Sequence, residues 1–306
     1  MRVLVAGCGY VGTELGLRLA ADGHEVWGLR RTPADLPSPI RPLAADLTIP
    51  ATLDRLPSRL DAVVYAVSAD ASEPAAYRAA YVAGLEHLEA ALARDPRTAA
   101  HPPCLVFISS TAVYGEDAGG AVDEATAPDP ANFRGEILLE AERVARERDG
   151  KTVIVRPSGI YGPGRDRLLR RAAQGRLEGG DRWTNRIHRD DLAEAIRHAL
   201  GRASPSPLYL ASDREPARLG EVLEWLAAAI GVPWESATDG PEVPGKRCLP
   251  RRLLDEGFAF EFPTWREGYR SVIGSTSRLR PDAQHISDRP SGFHLDRDDS
   301  GRVVSR

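Results

Sequence analysis

The segment Arg2-Val-Leu-Val-Ala-Gly-Cys-Gly-Tyr-Val-Gly12 constrains this chain more than any other. It reads as a buried strand ending at Ala6, a turn holding Gly7 and Gly9, and a helix with Gly12 near its start. In such a unit Gly7 makes the tight turn, Gly9 lets a diphosphate approach the backbone, and Gly12 lets helix pack closely on strand. The helix start adds free N–H groups and a partial positive charge. The motif predicts a dinucleotide-binding turn with Gly7, Gly9, Tyr10, Val11 and Gly12 at the ligand. A glycine-rich turn opening an ordinary strand–helix unit is the competing reading.

Alternating strand-like and helix-like segments predict an α/β fold, a doubly wound parallel sheet of Rossmann type with helices on both faces. A helix is expected over Tyr10–Ala21, and strands at Glu25–Leu29, up to Ala45-Asp46, at Leu60–Val67, Cys104–Ser109 and Lys151–Arg156. An Ala-rich helix from about Glu73 to Arg94 and another near Arg134–Arg148 fill the gaps. After Pro157 the pattern loosens into Gly, Pro and Arg, as expected where the chain leaves the sheet to build a small C-terminal substrate lobe. Asp191 with Glu194 reads as a capping pair for a helix to about Leu200. Leu208–Ala211 reads as a short strand and Leu219–Ile230 as an amphipathic helix. The expected division is 1–156 plus 186–203 for the dinucleotide domain, 157–185 plus 204–274 for the lobe, and 275–306 as a disordered tail.

Composition narrows the partners. A net charge of −4 and a pI near 6.0 give no reason to expect nucleic acid or an anionic membrane surface. Apolar runs are strand-length, far below the roughly 20 residues that span a bilayer. The N-terminal apolar run is the first strand rather than a signal peptide. Cys8, Cys104 and Cys248 have no metal-ligand spacing, so no metal site is expected, and their odd count suits a reduced cytoplasm. Cys8 reads as a small turn filler, with oxidation sensitivity as the alternative.

The second strand selects the coenzyme. Dinucleotide folds that take NAD carry an acid there for the ribose hydroxyls. Here Arg30 and Arg31 hold that place. Guanidinium groups pair with a 2′-phosphate that an acid would repel, so NADP(H) is favoured over NAD; solvated surface arginines are the alternative. Asp46, beside Leu47, either accepts from the adenine amino group or caps the next turn. Ala66, Val67 and Ser68 are expected to border the coenzyme's middle.

Later motifs add a family resemblance over about residues 1–274. Phe107-Ile-Ser-Ser-Thr-Ala-Val-Tyr-Gly115, Asp123-Glu124 with Pro128 and Pro130, Arg156-Pro-Ser-Gly-Ile-Tyr-Gly-Pro-Gly164 and Ile187-His-Arg-Asp-Asp-Leu-Ala193 resemble the extended short-chain dehydrogenase/reductases, the NAD-dependent epimerase/dehydratase group. Lys246-Arg247, Leu253-Leu254, Gly257 and Pro263 with Arg266-Glu-Gly268 resemble one atypical bacterial subgroup, the YeeZ-like proteins. The resemblance implies Ser110 as a catalytic hydrogen-bond donor, Pro157 and Ser158 beside the nicotinamide, and a small carbonyl, hydroxyl or nucleotide-sugar-like substrate. It also implies a possible homodimer through the helices near 73–94 and 134–148.

One departure stands out. The family's Tyr-x-x-x-Lys pair lowers a phenol pKa that is ordinarily near 10, but residues 125–150 contain neither Tyr nor Lys. Asn132 and Glu136 fall at the two positions, or Phe133 and Ile137 in the neighbouring register. Three readings stay open. The chain is an oxidoreductase or epimerase with a relocated acid/base, for which Tyr161, Tyr114 and Glu136 are candidates; or a non-catalytic NADP(H) sensor; or a site for another ligand. His188 reads as a structural residue or an acid/base. Arg165, Arg167, Arg170 and Arg171 read as a solvated face or a clamp for an anionic substrate, and Trp183 and Arg186 as lining for the substrate cleft, with lobe core as the alternative for Trp183.

Overall fold

The computed structural model describes residues 1–177, 181–235 and 245–277, with side chains to 274. Seven strands form one parallel sheet: β1 (Arg2–Ala6), β2 (Glu25–Arg30), β3 (Arg41–Ala44), β4 (Ala62–Tyr65), β5 (Cys104–Ile108), β6 (Thr152–Pro157) and β7 (Leu208–Ala211). Their spatial order is β7-β6-β5-β4-β1-β2-β3. The order reverses between β1 and β4, and such a switch point opens a crevice at the carboxyl ends of the strands. Val and Leu fill these strands because both faces are covered: Val3 and Val5 face one buried cluster, Leu4 and Ala6 the other.

The covering helices are α1 (Tyr10–Ala21), α2 (Pro74–Tyr77), α3 (Gly84–Ala93), α4 (Phe133–Glu147), α5 (Arg189–Gly201), α6 (Leu219–Ala229) and α7 (Trp265–Ser277). No described helix is long and apolar enough to cross a membrane. The continuous helix expected over 73–94 is interrupted: Arg78–Ala83 widens to a π-helix between α2 and α3. The Tyr65 hydroxyl explains where the irregularity falls. It donates to the Ala80 carbonyl at 2.6 Å, and a Cβ at Gly84 would lie 2.5 Å from it. A side chain wedged into the hydrogen-bond ladder is a known cause of such bulges.

Two sequence expectations change. Leu208–Ala211 does not belong to the lobe: it pairs parallel with β6, from Leu208 on Ile154 to Ala211 on Pro157, and closes the sheet. Its four buried residues read equally as lobe or sheet without their partner strand. Asp191 is not the cap of α5. His188 is, its Nδ1 accepting from the Asp190 N–H at 3.2 Å. Asp191 is 1% exposed and accepts from the backbone N–H groups of Glu261 and Phe262 at 2.7 and 3.0 Å, which ties α5 to the C-terminal segment.

The lobe has its own apolar cluster, with Leu219, Val222, Leu223 and Leu226 of α6 packed around Trp265 and Tyr269 of α7. Two short strands, Gly159–Tyr161 and Arg186–His188, pair in parallel beneath it. Helix α7 runs to Ser277, past the expected start of the tail at 275; the remainder of that predicted tail, 278–306, lies outside the described residues.

Candidate dinucleotide cleft

The glycine turn is fixed by its neighbours. The N–H groups of Gly7 and Cys8 both donate to the Leu29 carbonyl at 3.0 Å, anchoring the turn on β2. Gly7 sits at φ +83°, and a Cβ there would lie 2.6 Å from the Ala66 carbonyl oxygen. Only glycine meets both demands. A Cβ on Gly12 would come within 2.9 Å of Val5 Cγ1, so this glycine serves the packing of α1 on β1. Helix α1 begins after Gly9 with no side-chain cap and no acid in its first turn. Tyr10 and Val11 of this helix end line the crevice, and uncapped helix N-termini leave N–H groups that suit an anion.

A cleft of about 350 Å³ opens over this turn. Gly7, Gly9, Tyr10 and Val11 form its floor, and Arg30 and Arg31 one end. Asp46 and Leu47 follow β3, and Ala66, Val67 and Ser68 follow β4. The structure thus brings eleven predicted ligand residues onto one wall. Gly12 lies behind the turn. Pro157 and Ser158 also lie off the wall: Ser158 is 6% exposed, with its hydroxyl on Ser212 at 3.1 Å. Asp46 caps its turn, accepting from the N–H and the hydroxyl of Thr48 at 2.9 and 2.7 Å, while it lines the cleft.

Both arginines already have partners. Arg30 donates to the Thr32 carbonyl at 2.7 Å and pairs with Asp35. Arg31 forms a two-pronged pair with Asp70 at 2.6 and 2.8 Å. That contact raises the Arg31 pKa and lowers that of Asp70, whose carboxylate gains the hydrogen bonds and the opposing charge.

The sequence reading missed part of the wall. Ala76, Ala79 and Ala80 line it from α2 and the π segment, together with Thr48, Asp70, Ile108 and Ile160. The alanines had a signal, since small residues repeated on one helix face leave room for a ligand. Arg165, read as a possible clamp for a substrate anion, also reaches the cleft.

None of the acid/base candidates is on this wall. Ser110 is half-buried and caps the turn Thr111–Val113, its Oγ accepting from the Ala112 N–H at 3.1 Å. Glu136 is exposed in the first turn of α4, and Asn132 caps that helix by accepting from the Arg134 N–H at 3.1 Å. The Tyr114 hydroxyl donates to the Asp123 carbonyl at 3.0 Å and accepts from Arg156 at 2.8 Å; burial raises its pKa. Tyr161 packs its hydroxyl against Gly268 of α7, where a Cβ would collide with it, and burial again pushes the phenol up. His188 is 1% exposed, and burial lowers its pKa to about 4, so it is neutral near pH 7. Arg186 is 3% exposed above Trp265, and the guanidinium carbons of Arg218 and Arg247 lie 4.9 and 5.5 Å from the centre of the Trp183 ring.

Comparison with known proteins agrees with this architecture. The family model for the NAD dependent epimerase/dehydratase family matches residues 3–209. Protein YeeZ of Escherichia coli K12 is 27% identical over 274 residues, covering 86% of this chain and 96% of that protein. A Methylobacillus flagellatus structure described as an NAD-dependent epimerase/dehydratase superposes with a TM-score of 0.77 at 34% identity, covering 90% of this chain and 98% of that one. The fold also matches Thermus thermophilus UDP-glucose 4-epimerase in complex with NAD, at 21% identity and a TM-score of 0.70, over 92% of this chain and all of that one (100%). A match over more than half of the chain, together with the glycine turn and switch-point cleft, places it: the chain belongs to the NAD-dependent epimerase/dehydratase family, as an atypical member similar to YeeZ.

Proposed function

We propose that this protein binds NADP(H) in the cleft and uses it as an oxidoreductase or epimerase of the extended short-chain type, on a small carbonyl, hydroxyl or nucleotide-sugar-like substrate. The observation that carries the reading is the glycine turn: Gly7 leaves no space for a Cβ while α1 presents an uncapped N-terminus over it. The residues present fit a dinucleotide. Gly9 and the start of α1 would hold the diphosphate, Asp46 and Leu47 the adenine, and Arg30 and Arg31 a 2′-phosphate. The bound coenzyme supplies hydride transfer. Ser110 would orient the substrate carbonyl as a hydrogen-bond donor, since a serine hydroxyl does not ionise near neutral pH. The complex of NAD with the Thermus epimerase supports the same ligand class for this cleft.

A second reading, a coenzyme-binding regulator without turnover, is favoured by the hydroxyls of Tyr114 and Tyr161, one held by Arg156 and the other against Gly268. Loss of a general acid costs about 10²–10⁴-fold, so any turnover is expected to be slow. Titration of purified protein with NADPH and NADH, followed by a panel of carbonyls and nucleotide sugars, separates the two. Oxidation of NADPH supports the enzyme, tight binding with no oxidation supports the regulator, and no binding of either nucleotide overturns both.

A further inference from the structure

Three arginines line the cleft, and they are not equivalent. Arg30 pairs with Asp35 and Arg31 with Asp70. Among the described residues Arg165 has no carboxylate partner; its Nη1 donates only to the Ile160 carbonyl, at 3.2 Å. It is also the only one of the three that follows β6, on the loop between Tyr161 and the short helix Arg167–Ala172.

Its position is held at the phosphate turn. The guanidinium carbon lies 4.2 Å from the centre of the Tyr10 ring, and Tyr10 is the first residue of α1, next to Gly9. The Tyr10 hydroxyl donates to the Pro163 carbonyl at 2.9 Å, so the arginine's own loop is tethered to the same residue. Arg189 also lies over this ring, at 5.3 Å, but Glu14 and Asp190 neutralise it at 3.3 and 2.7 Å. The charge left available over the turn is therefore that of Arg165.

The geometry points to Arg165 as a diphosphate-binding residue: it closes over the dinucleotide from the side opposite the glycine turn and couples the lobe loop to coenzyme binding. The inference rests on the dinucleotide reading of the cleft. A diphosphate between the start of α1 and a guanidinium satisfies both sets of donors, and charge-assisted hydrogen bonds of this kind are the stronger ones. The diphosphate is common to NADH and NADPH, so Arg165 should act on both alike, unlike Arg30 and Arg31.

The test uses the whole protein with Arg165→Met and Arg165→Lys, titrated with NADPH, NADH, UDP-glucose and 2′-AMP, which carries the adenosine and 2′-phosphate without a diphosphate. Arg165 is exposed, so the melting temperature of the ligand-free variants should match wild type. Arg165→Met is expected to weaken NADPH and NADH equally, by about five- to twentyfold, and to leave 2′-AMP unchanged. Arg165→Lys should recover part of the loss, because it keeps the charge without the fork. Dinucleotide binding that survives Arg165→Met intact overturns the inference and leaves the cleft reading standing. A loss confined to NADPH and 2′-AMP overturns it by moving Arg165 to the 2′-phosphate, and a loss confined to UDP-glucose by moving it to a substrate phosphate. Wild type that binds neither dinucleotide overturns the cleft reading, and this inference with it.

Discussion

Arg31 and Asp70 face each other across the end of the cleft, the guanidinium donating to both carboxylate oxygens at 2.6 and 2.8 Å. Arg31 follows β2 and Asp70 follows β4, so the pair bridges the two sides of the switch point. Both side chains are largely exposed, at 60% and 69%, and exposed pairs are worth little. Even so, a 2′-phosphate must displace Asp70 from Arg31 or bind beside a negative charge. Asp70→Asn should therefore tighten NADPH by roughly two- to fivefold and leave NADH within twofold. The gain should vanish in an Arg31→Ala background and shrink at high salt. An equal effect on both nucleotides, read by fluorescence titration, would remove the 2′-phosphate from Arg31.

Gly7 admits a sharper outcome. Replacement by Ala puts a Cβ 2.6 Å from the Ala66 carbonyl oxygen at φ +83°. The left-handed backbone alone costs about 1–2 kcal/mol, and the collision must push the end of β4 away from β1. Gly7→Ala should lower the melting temperature by several degrees and abolish dinucleotide binding. Unchanged calorimetric titration would show that the turn is not the binding element.

The difference between what was legible and what was not has a physical basis. Helix α1 was readable to the residue because its periodicity and the Asp22-Gly23 stop are both local. The cleft wall was readable because turn residues between strands and helices in a parallel sheet collect at one edge, whatever the strand order. Membership of β7 in the sheet was not readable, since it depends on pairing with β6 more than fifty positions earlier. Nor were the partners of Arg30 and Arg31: Asp35 and Asp70 lie in loops whose course no spacing predicts. The surroundings of the candidate acid/base residues were not readable for a similar reason. Tyr161 is adjacent to the cleft in sequence, but its ring stacks on Tyr269 at 4.4 Å, a contact made from the far end of the chain.

A buried ion pair joins α4 to the sheet. Glu142 is 0% exposed and accepts from Arg156 Nε and Nη2 at 2.8 and 2.7 Å, and from the Ser109 hydroxyl at 2.7 Å. Removing one partner leaves a buried charge uncompensated, which costs about 3–5 kcal/mol, whereas replacing both by apolar residues can be nearly neutral. Glu142→Leu should lower the urea midpoint strongly, and Glu142→Leu with Arg156→Met should recover much of the loss. Additive losses in the double variant would mean that the two side chains act independently.

Asp213 sets a pH dependence of stability whose sign is fixed by burial. Its side chain is 1% exposed, and desolvation raises its pKa from 3.8 to about 8, against the opposing pull of Arg186 and the Glu215 N–H. The folded state therefore holds a proton on Asp213 that the unfolded chain releases above about pH 4. The contribution is fully present below that pH and is lost as pH rises to about 8. His188 works the other way: burial lowers its pKa from 6.5 to about 4, so stability rises with pH across that interval. Asp213→Asn keeps an acceptor for the Glu215 N–H, which lies 3.2 Å from Oδ1, and removes only the acidic titration. Chemical denaturation at pH 5, 6.5 and 8 should show the variant gaining on wild type at each step, while the His188 contribution cancels in the difference. A gap that stays constant between pH 5 and 8 would mean that Asp213 is ionised in the folded protein throughout.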